Sequence, residues 1–245
     1  MIKRKDEGMF NFDRRSLYIF IITMVLVNIV LGGRSIEGII LALPGVIVAM
    51  TFHEYAHALA ATKLGDDTPR LQGRLNLNPM SHIDPVGIIC LALLGFGWGR
   101  PVQINSRNFS GKYSLSKAEA IVSAAGPLMN FVIAFVFVII YMLMGIFIDT
   151  ITRPIMIIQT IISSIIIVNL GLGVFNLIPI YPLDGSKVLN HFLPYKAKEW
   201  MMNNQFLLTI IVFALVFCTD IISYISMWIL FGMEYLVSAL IGIFI

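Results

Sequence analysis

From Ile121 to Ile148 the chain reads "IVSAAGPLMNFVIAFVFVIIYMLMGIFI", without one charged side chain. A run this long and apolar constrains the fold more than any other feature. About 20 apolar residues cross the hydrocarbon core of a bilayer. Within that core each backbone N–H and C=O must find its partner inside the protein, which favours helices. Similar runs recur, and spans are expected at roughly Ser16–Leu31, Ile36–Leu64, Ala118–Ile148, Ile155–Ile180, Phe206–Cys218 extended backward, and Ile221–Ile245, with Asp220 marking either a turn between the last two or an interior polar residue of one bent helix. The fold class that follows is an all-α multi-pass membrane protein of about six transmembrane helices. Only 13% of residues are charged, against about 25% in an ordinary soluble domain, so a soluble globule is excluded.

The basic residues orient the spans. Of 17 Lys and Arg, 15 fall in the N-terminal tail, in the stretch after the second span and in the stretch after the fourth, leaving Arg34 and Arg153 for the other side. That bias places the N-terminus and both long loops in the cytoplasm of a cell-membrane protein. The first apolar run is followed by "GGRSIEG", unlike a signal-peptidase site, and is read as a retained span. Residues 65–117 are too many for a structureless loop. Within them Leu71, Gly73, Leu75 and Leu77 alternate, and "RPVQIN" follows later. This patterning predicts a small membrane-associated β-sheet or hairpin between spans 2 and 3. Val86–Gly99 carries four glycines in 14 residues, a length suited to a re-entrant segment rather than a span. The whole chain, 1–245, reads as one membrane-embedded domain with a catalytic core near 36–195. Cys90 and Cys218 are far apart in apolar surroundings and suggest no disulfide framework. The net charge of +3 is small. No nucleic-acid partner is expected, and the oligomeric state is left open.

Inside the second span stands "HEYAH". Residues four apart share a helix face, so His53 and His57 point the same way. Two imidazoles so placed can hold one Zn²⁺, with Glu54 beside them to take a proton from the attacking water. Ionisable groups in a span are costly and by default functional. At about 1.5 Å per residue, His57 and His53 lie roughly 10–16 Å below the cytoplasmic end of the span. A catalytic zinc takes three protein ligands and keeps one position open. Candidates for the third ligand are Asp184, Asp84, His82, His191 and Glu199. Asp184 has the most suggestive context. Pro179 and Pro182 end regular helix ahead of it, and Gly185 permits an unusual backbone angle. Irregular chain at membrane depth is tolerated only where it lines a cavity. His82, in "MSHIDP", is expected in a loop, solvated or capping a helix.

Three motifs together resemble the site-2 protease family of intramembrane zinc metalloproteases. They are "HEYAH" in an early span, "AGPLMN" (Ala125–Asn130) at the start of the third span, and the pattern of Asn176, Pro179, Asp184 and Gly185. The resemblance covers about residues 40–195 and is nearest to the compact branch. No stretch has room for an appended PDZ or CBS domain.

The resemblance implies a zinc metalloendopeptidase with one Zn²⁺ per chain bound by His53, His57 and Asp184. Glu54 would be the general base, and Asn130 and Asn176 would lie on the substrate side. The expected substrate is a transmembrane protein or peptide in the lipid bilayer, cut within or at the edge of its helix. Such a helix must unwind locally, and a strand edge at 71–77 or 101–105 could capture it. The alternative from another class is a membrane metal transporter or a non-catalytic metal-binding membrane protein. The single compact cluster and the lack of repeated halves weigh against it.

Overall fold

The computed structural model describes residues 35–84, 86–87, 99–148 and 150–244, with Thr23 besides. The expected first span, Ser16–Leu31, and most of the expected re-entrant segment, Val86–Gly99, lie outside the described residues.

Helix α1 spans Ile36–Lys63. Its start follows from Ser35, whose hydroxyl accepts the Gly38 N–H at 3.1 Å, and from Glu37 in the first turn. Pro44 sits inside it, beside a close approach of a later helix, where Ser164 bonds to the Ala42 carbonyl. A Cβ on the neighbouring Gly45 would lie 2.7 Å from the Ser164 carbonyl. Two short helices follow, α2 (Thr68–Leu71) and α3 (Pro79–His82). Then comes α4 (Leu115–Phe147), capped by Ser114. Helix α5 (Arg153–Asn176) opens with Pro at its first turn. The remainder is α6 (Asp184–Phe192), α7 (Tyr195–Asn203), α8 (Gln205–Cys218) and α9 (Ile221–Phe244).

Four of these, α1, α4, α5 and α9, are long and apolar enough to cross a membrane; α7 and α8 form a pair bent by 74° that could supply one more crossing. The six spans expected from sequence are therefore not all present among the described residues. Helices α1, α4 and α5 pack on one another, and α9 lies against α4 and α5. Ala134, Val138, Ile162, Ile166, Leu170 and Val237 make the main core, while Val46, Met50 and Ile83 form a second cluster nearer the loops. The outer faces, with Val132, Val136, Ile157, Trp228 and Phe231, stay apolar and exposed, as lipid contact requires.

The expected β-sheet is not seen among the described residues. Among the described residues the sole pairing is an isolated antiparallel bridge between Ile83 and Gly99. Leu71 closes α2, and the chain then turns at Gly73, whose φ is +68°. Asn76 and Asn78 spend their side chains on local backbone: Asn76 donates to the Gly73 carbonyl and accepts from Asn78 N–H, and Asn78 caps α3 by accepting from Met80 N–H at 3.1 Å. Asparagine turns compete with ladders in this way. The alternating leucines had no sheet to face, and Leu71 is 85% exposed.

Beyond α1 the chain reverses at Gly65, whose φ of +106° suits glycine. Asp66, fully buried, then gathers the loop. Its carboxylate accepts from Thr68 N–H and hydroxyl, from Asn108 Nδ2 at 2.9 Å, and from Asn105 N–H at 2.7 Å. This clamp draws residues 105–108 against the end of α1 and so places the 99–105 segment beside the helix.

Candidate metal centre

Three helices and one helix start converge on a point within α1. His53 and His57, on one face of α1, are each 7% exposed. Asp184 arrives from the first residue of α6. Helix α5 ends at Asn176, ahead of Pro179 as the prolines require, and the chain turns before α6 begins. Gly185 allows this return, though not through an unusual φ. It is helical, and a Cβ there would strike the Leu177 carbonyl. The glycine serves close approach, which corrects the expectation from sequence.

Asp184 Oδ2 stands 3.2 Å from His53 Nε2 and 3.1 Å from His57 Nε2, and the two Nε2 atoms are 3.0 Å apart. Ligands on a tetrahedral zinc with bonds near 2.05 Å would be about 3.3 Å apart, so the triangle fits that ion closely. The donor chemistry agrees. His57 Nδ1–H donates to the Val122 carbonyl at 2.7 Å, and His53 Nδ1–H donates to Asn130 Oδ1 at 2.8 Å. With Nδ1 protonated in both rings, each Nε2 offers a lone pair. Two lone pairs and a carboxylate oxygen facing one another in a buried space call for a positive charge among them. Helix α4 gives that charge room. A Cβ on Gly126 would sit 2.7 Å from His53 Cε1 and nearer still to His57 Nε2.

Glu54 points to the loop side. Its Oε2 accepts the Val102 N–H at 3.0 Å, and Gly99 passes close by, where a Cβ would be 3.5 Å from Oε1. Asn130 is fully buried and donates its amide hydrogens to the Ala49 carbonyl at 3.0 Å and to Asn169 Oδ1 at 2.9 Å. Asn176 is half-buried and donates to the Leu172 carbonyl of its own helix at 3.0 Å. The other candidate ligands lie elsewhere. Asp84 accepts from the N–H groups of Val86 and Gly87. His82 is fully buried and bonded to the Asn76 carbonyl through Nε2, rather than solvated. His191 is in α6 and Glu199 is exposed on α7. Among the described residues, the group able to hold a metal is His53, His57 and Asp184. Sequence reasoning did not find Val122, Val102 or Asn169, and it held Gly126 only as part of the "AGPLMN" motif. Val122 and Val102 act through backbone, which leaves no mark in residue type. Asn169, a lone amide in an apolar span, was the one readable signal.

Comparison with known proteins agrees with this geometry. The chain is 39% identical over 180 residues to the "Putative zinc metalloprotease YwhC" of Bacillus subtilis, covering 73% of this chain and 80% of that one. It is 31% identical over 101 residues to the "Putative zinc metalloprotease Rip2" of Mycolicibacterium smegmatis, covering 39% of this chain and 37% of that one. No solved structure matches. The model of peptidase family M50 matches residues 41–219, a stretch that takes in most of α1, all of α4 and α5 and every residue of the metal cluster. The chain belongs to peptidase family M50, the site-2 protease family.

Proposed function

We propose that the protein is an intramembrane zinc endopeptidase that hydrolyses a peptide bond within, or at the edge of, a transmembrane helix of another membrane protein. The observation that carries this reading is the convergence of two imidazole nitrogens and a carboxylate oxygen within 3.2 Å, built on helices apolar enough to cross a bilayer. His53, His57 and Asp184 would hold the zinc. When bound, the ion supplies a Lewis acid for the scissile carbonyl and for the attacking water.

The chain's own residues do the rest. Glu54 takes the water's proton as general base and returns it to the leaving amine. The Val102 N–H fixes one oxygen of Glu54, so the other can serve as the base, and the absent side chain of Gly99 keeps that oxygen uncovered on its side. Asn176, eight residues before Asp184 along the broken helix end, is assigned to the substrate side by the family resemblance.

Access is lateral for the substrate and cytoplasmic for water. An apolar cavity of about 470 Å³ lies between the end of α5, α8 and α9, lined in part by Val174, Leu177, Val212 and Ile225. Leu177, on its wall, packs directly on Gly185 beside Asp184. A helix entering there would reach the metal cluster after unwinding. The 101–105 segment, which has no ladder partner among the described residues, is the remaining edge for an unwound strand. The distribution of Lys and Arg supports a cell-membrane location with the N-terminus and the site opening on the cytoplasmic side.

The test is Glu54→Gln in purified protein, with cleavage of a panel of single-pass helices and metal content measured together. The expected result is unchanged zinc and a loss of cleavage of about 100-fold or more. Normal cleavage by the variant would remove Glu54 as base. Zinc uptake into vesicles without any cleaved product would favour transport instead.

A further inference from the structure

The buried amides of Asn130 and Asn169 are not explained by substrate contact. Both are fully shielded from solvent, and they sit on different helices, α4 and α5. Their hydrogen bonds can be oriented without ambiguity. The Ile165 carbonyl can only accept, so Asn169 Nδ2, 2.8 Å away, is the donor and Asn169 Oδ1 faces Asn130. The Ala49 carbonyl can only accept, so Asn130 Nδ2 is the donor on that side too. Both amide hydrogens of Asn130 are thereby spent, on Ala49 O and on Asn169 Oδ1. Its Oδ1 is left facing His53 Nδ1, where it can only accept. Ring nitrogen Nδ1 must then carry the proton, and Nε2 must present its lone pair to Asp184 and His57.

We propose that Asn130 is a positioning residue that holds His53 in its Nδ1–H tautomer, and that Asn169 is the lock that prevents the Asn130 amide from flipping. A flipped Asn130 would aim its NH₂ at Nδ1 and drive the proton to Nε2, which would disable His53 as a ligand. Without Asn169 one of the two acceptors that oppose the flip is gone. His57 needs no such device, because its Nδ1–H donates to the Val122 main-chain carbonyl. The two ligands of α1 are therefore fixed by different means, one by backbone and one by a two-amide relay across three helices. The inference rests on the metal-centre reading for its purpose, but the tautomer itself is a property of the protein alone.

The experiment uses full-length protein labelled with ¹⁵N-histidine. With four histidines in the chain, single replacements of the other three assign the rings. Spectra of zinc-free protein, at a pH where imidazole is neutral, report the His53 tautomer directly, and chelator competition reports zinc affinity. Wild type is expected to show Nδ1–H at His53. Asn169→Ala and Asn130→Leu are expected to give mixed or inverted tautomers at His53 alone and to weaken zinc binding by about 10–100-fold. Asn130→Asp keeps an acceptor facing Nδ1, although its second oxygen has no hydrogen to give to the Ala49 carbonyl or Asn169 Oδ1, so it is expected to restore the Nδ1–H tautomer of His53 rather than the full affinity. An unchanged Nδ1–H signal with unchanged zinc affinity in Asn169→Ala and Asn130→Leu would overturn the proposal, as would a folded Asn130→Asp variant whose His53 tautomer is as mixed as that of Asn130→Leu. If Asn130→Leu does not fold, Asn169→Ala decides. Wild type that takes up no zinc would sink the metal-centre reading, while the spectra would still decide the relay.

Discussion

Two buried polar clusters flank the last turns of α1, and their hydrogen-bond accounts differ. At Asp66, just beyond the helix, one carboxylate meets four donors: Thr68 N–H and hydroxyl, Asn105 N–H and Asn108 Nδ2. That cluster is complete, and its business is to hold the loop. At His53, within the helix, the surroundings supply acceptors to the far side of each ring, so that three further acceptors face inward on one another. That cluster is complete only with a cation. Burial alone does not separate the two, since both are shut away from solvent. The balance of donors and acceptors does, and it distinguishes a structural carboxylate from a ligand set.

The comparison breaks most sharply at Gly126. Gly126→Ala would push a methyl group into both imidazoles, within 2.7 Å of His53 Cε1. A ligand displaced by about 1 Å commonly costs about 100-fold in rate, and we expect that loss in cleavage, with at least a tenfold loss in zinc affinity. Zinc titration beside a cleavage assay checks it. An unaffected variant would mean that α4 does not set the ligand geometry.

Asp66→Ala should behave in the opposite way. It strands buried N–H donors, which is expected to lower stability by about 2 kcal/mol or more. It leaves the inward-facing acceptors untouched, so zinc per folded chain should not change. Thermal unfolding and metal analysis of the same sample separate the effects. A loss of zinc from folded Asp66→Ala protein would erase the distinction between the clusters.

The smallest effect is with pH. Burial opposes the charge of Asp66, but hydrogen bonds from Thr68, Asn105 and Asn108 outweigh it and hold the carboxyl below its ordinary value. A depressed folded pKa means the contribution is full above the unfolded value, about pH 4, and is lost as pH falls through the folded one. Protection of the Asn105 amide, its exchange relative to the intrinsic rate at the same pH, should therefore fall only below about pH 4. Asn105 protection that is already lost near neutrality would contradict the assignment.

What was legible in the sequence divides along physical lines. The long helices were readable because a bilayer demands about 20 apolar residues whatever the neighbours are. Helices α1, α4 and α5 accordingly fall close to the expected spans, although α5 stops at Asn176, short of Ile180. His53 and His57 were readable from the i, i+4 spacing, whereas Asp184 stood among five candidates until the family resemblance singled it out; the structure brings the three together. The hairpin at 71–77 was misread because period-two spacing of leucines cannot tell a ladder from a chain of asparagine turns. The break between α7 and α8 was hidden as well. Asn204 makes the turn inside what reads as one continuous run, and its side chain is tied to the Trp200 carbonyl at 2.8 Å. The Val122 carbonyl and the Gly126 approach depend on α4 lying across α1, which one-dimensional patterning does not encode.

The most direct test of the metal centre is zinc-edge absorption spectroscopy on purified active protein, with metal per chain counted on the same sample. The expected result is one zinc per chain in a nitrogen and oxygen shell near 2.0–2.1 Å with two imidazoles, lost in His53→Ala and in Asp184→Ala. Active protein without zinc, or a shell that survives both replacements, would contradict it.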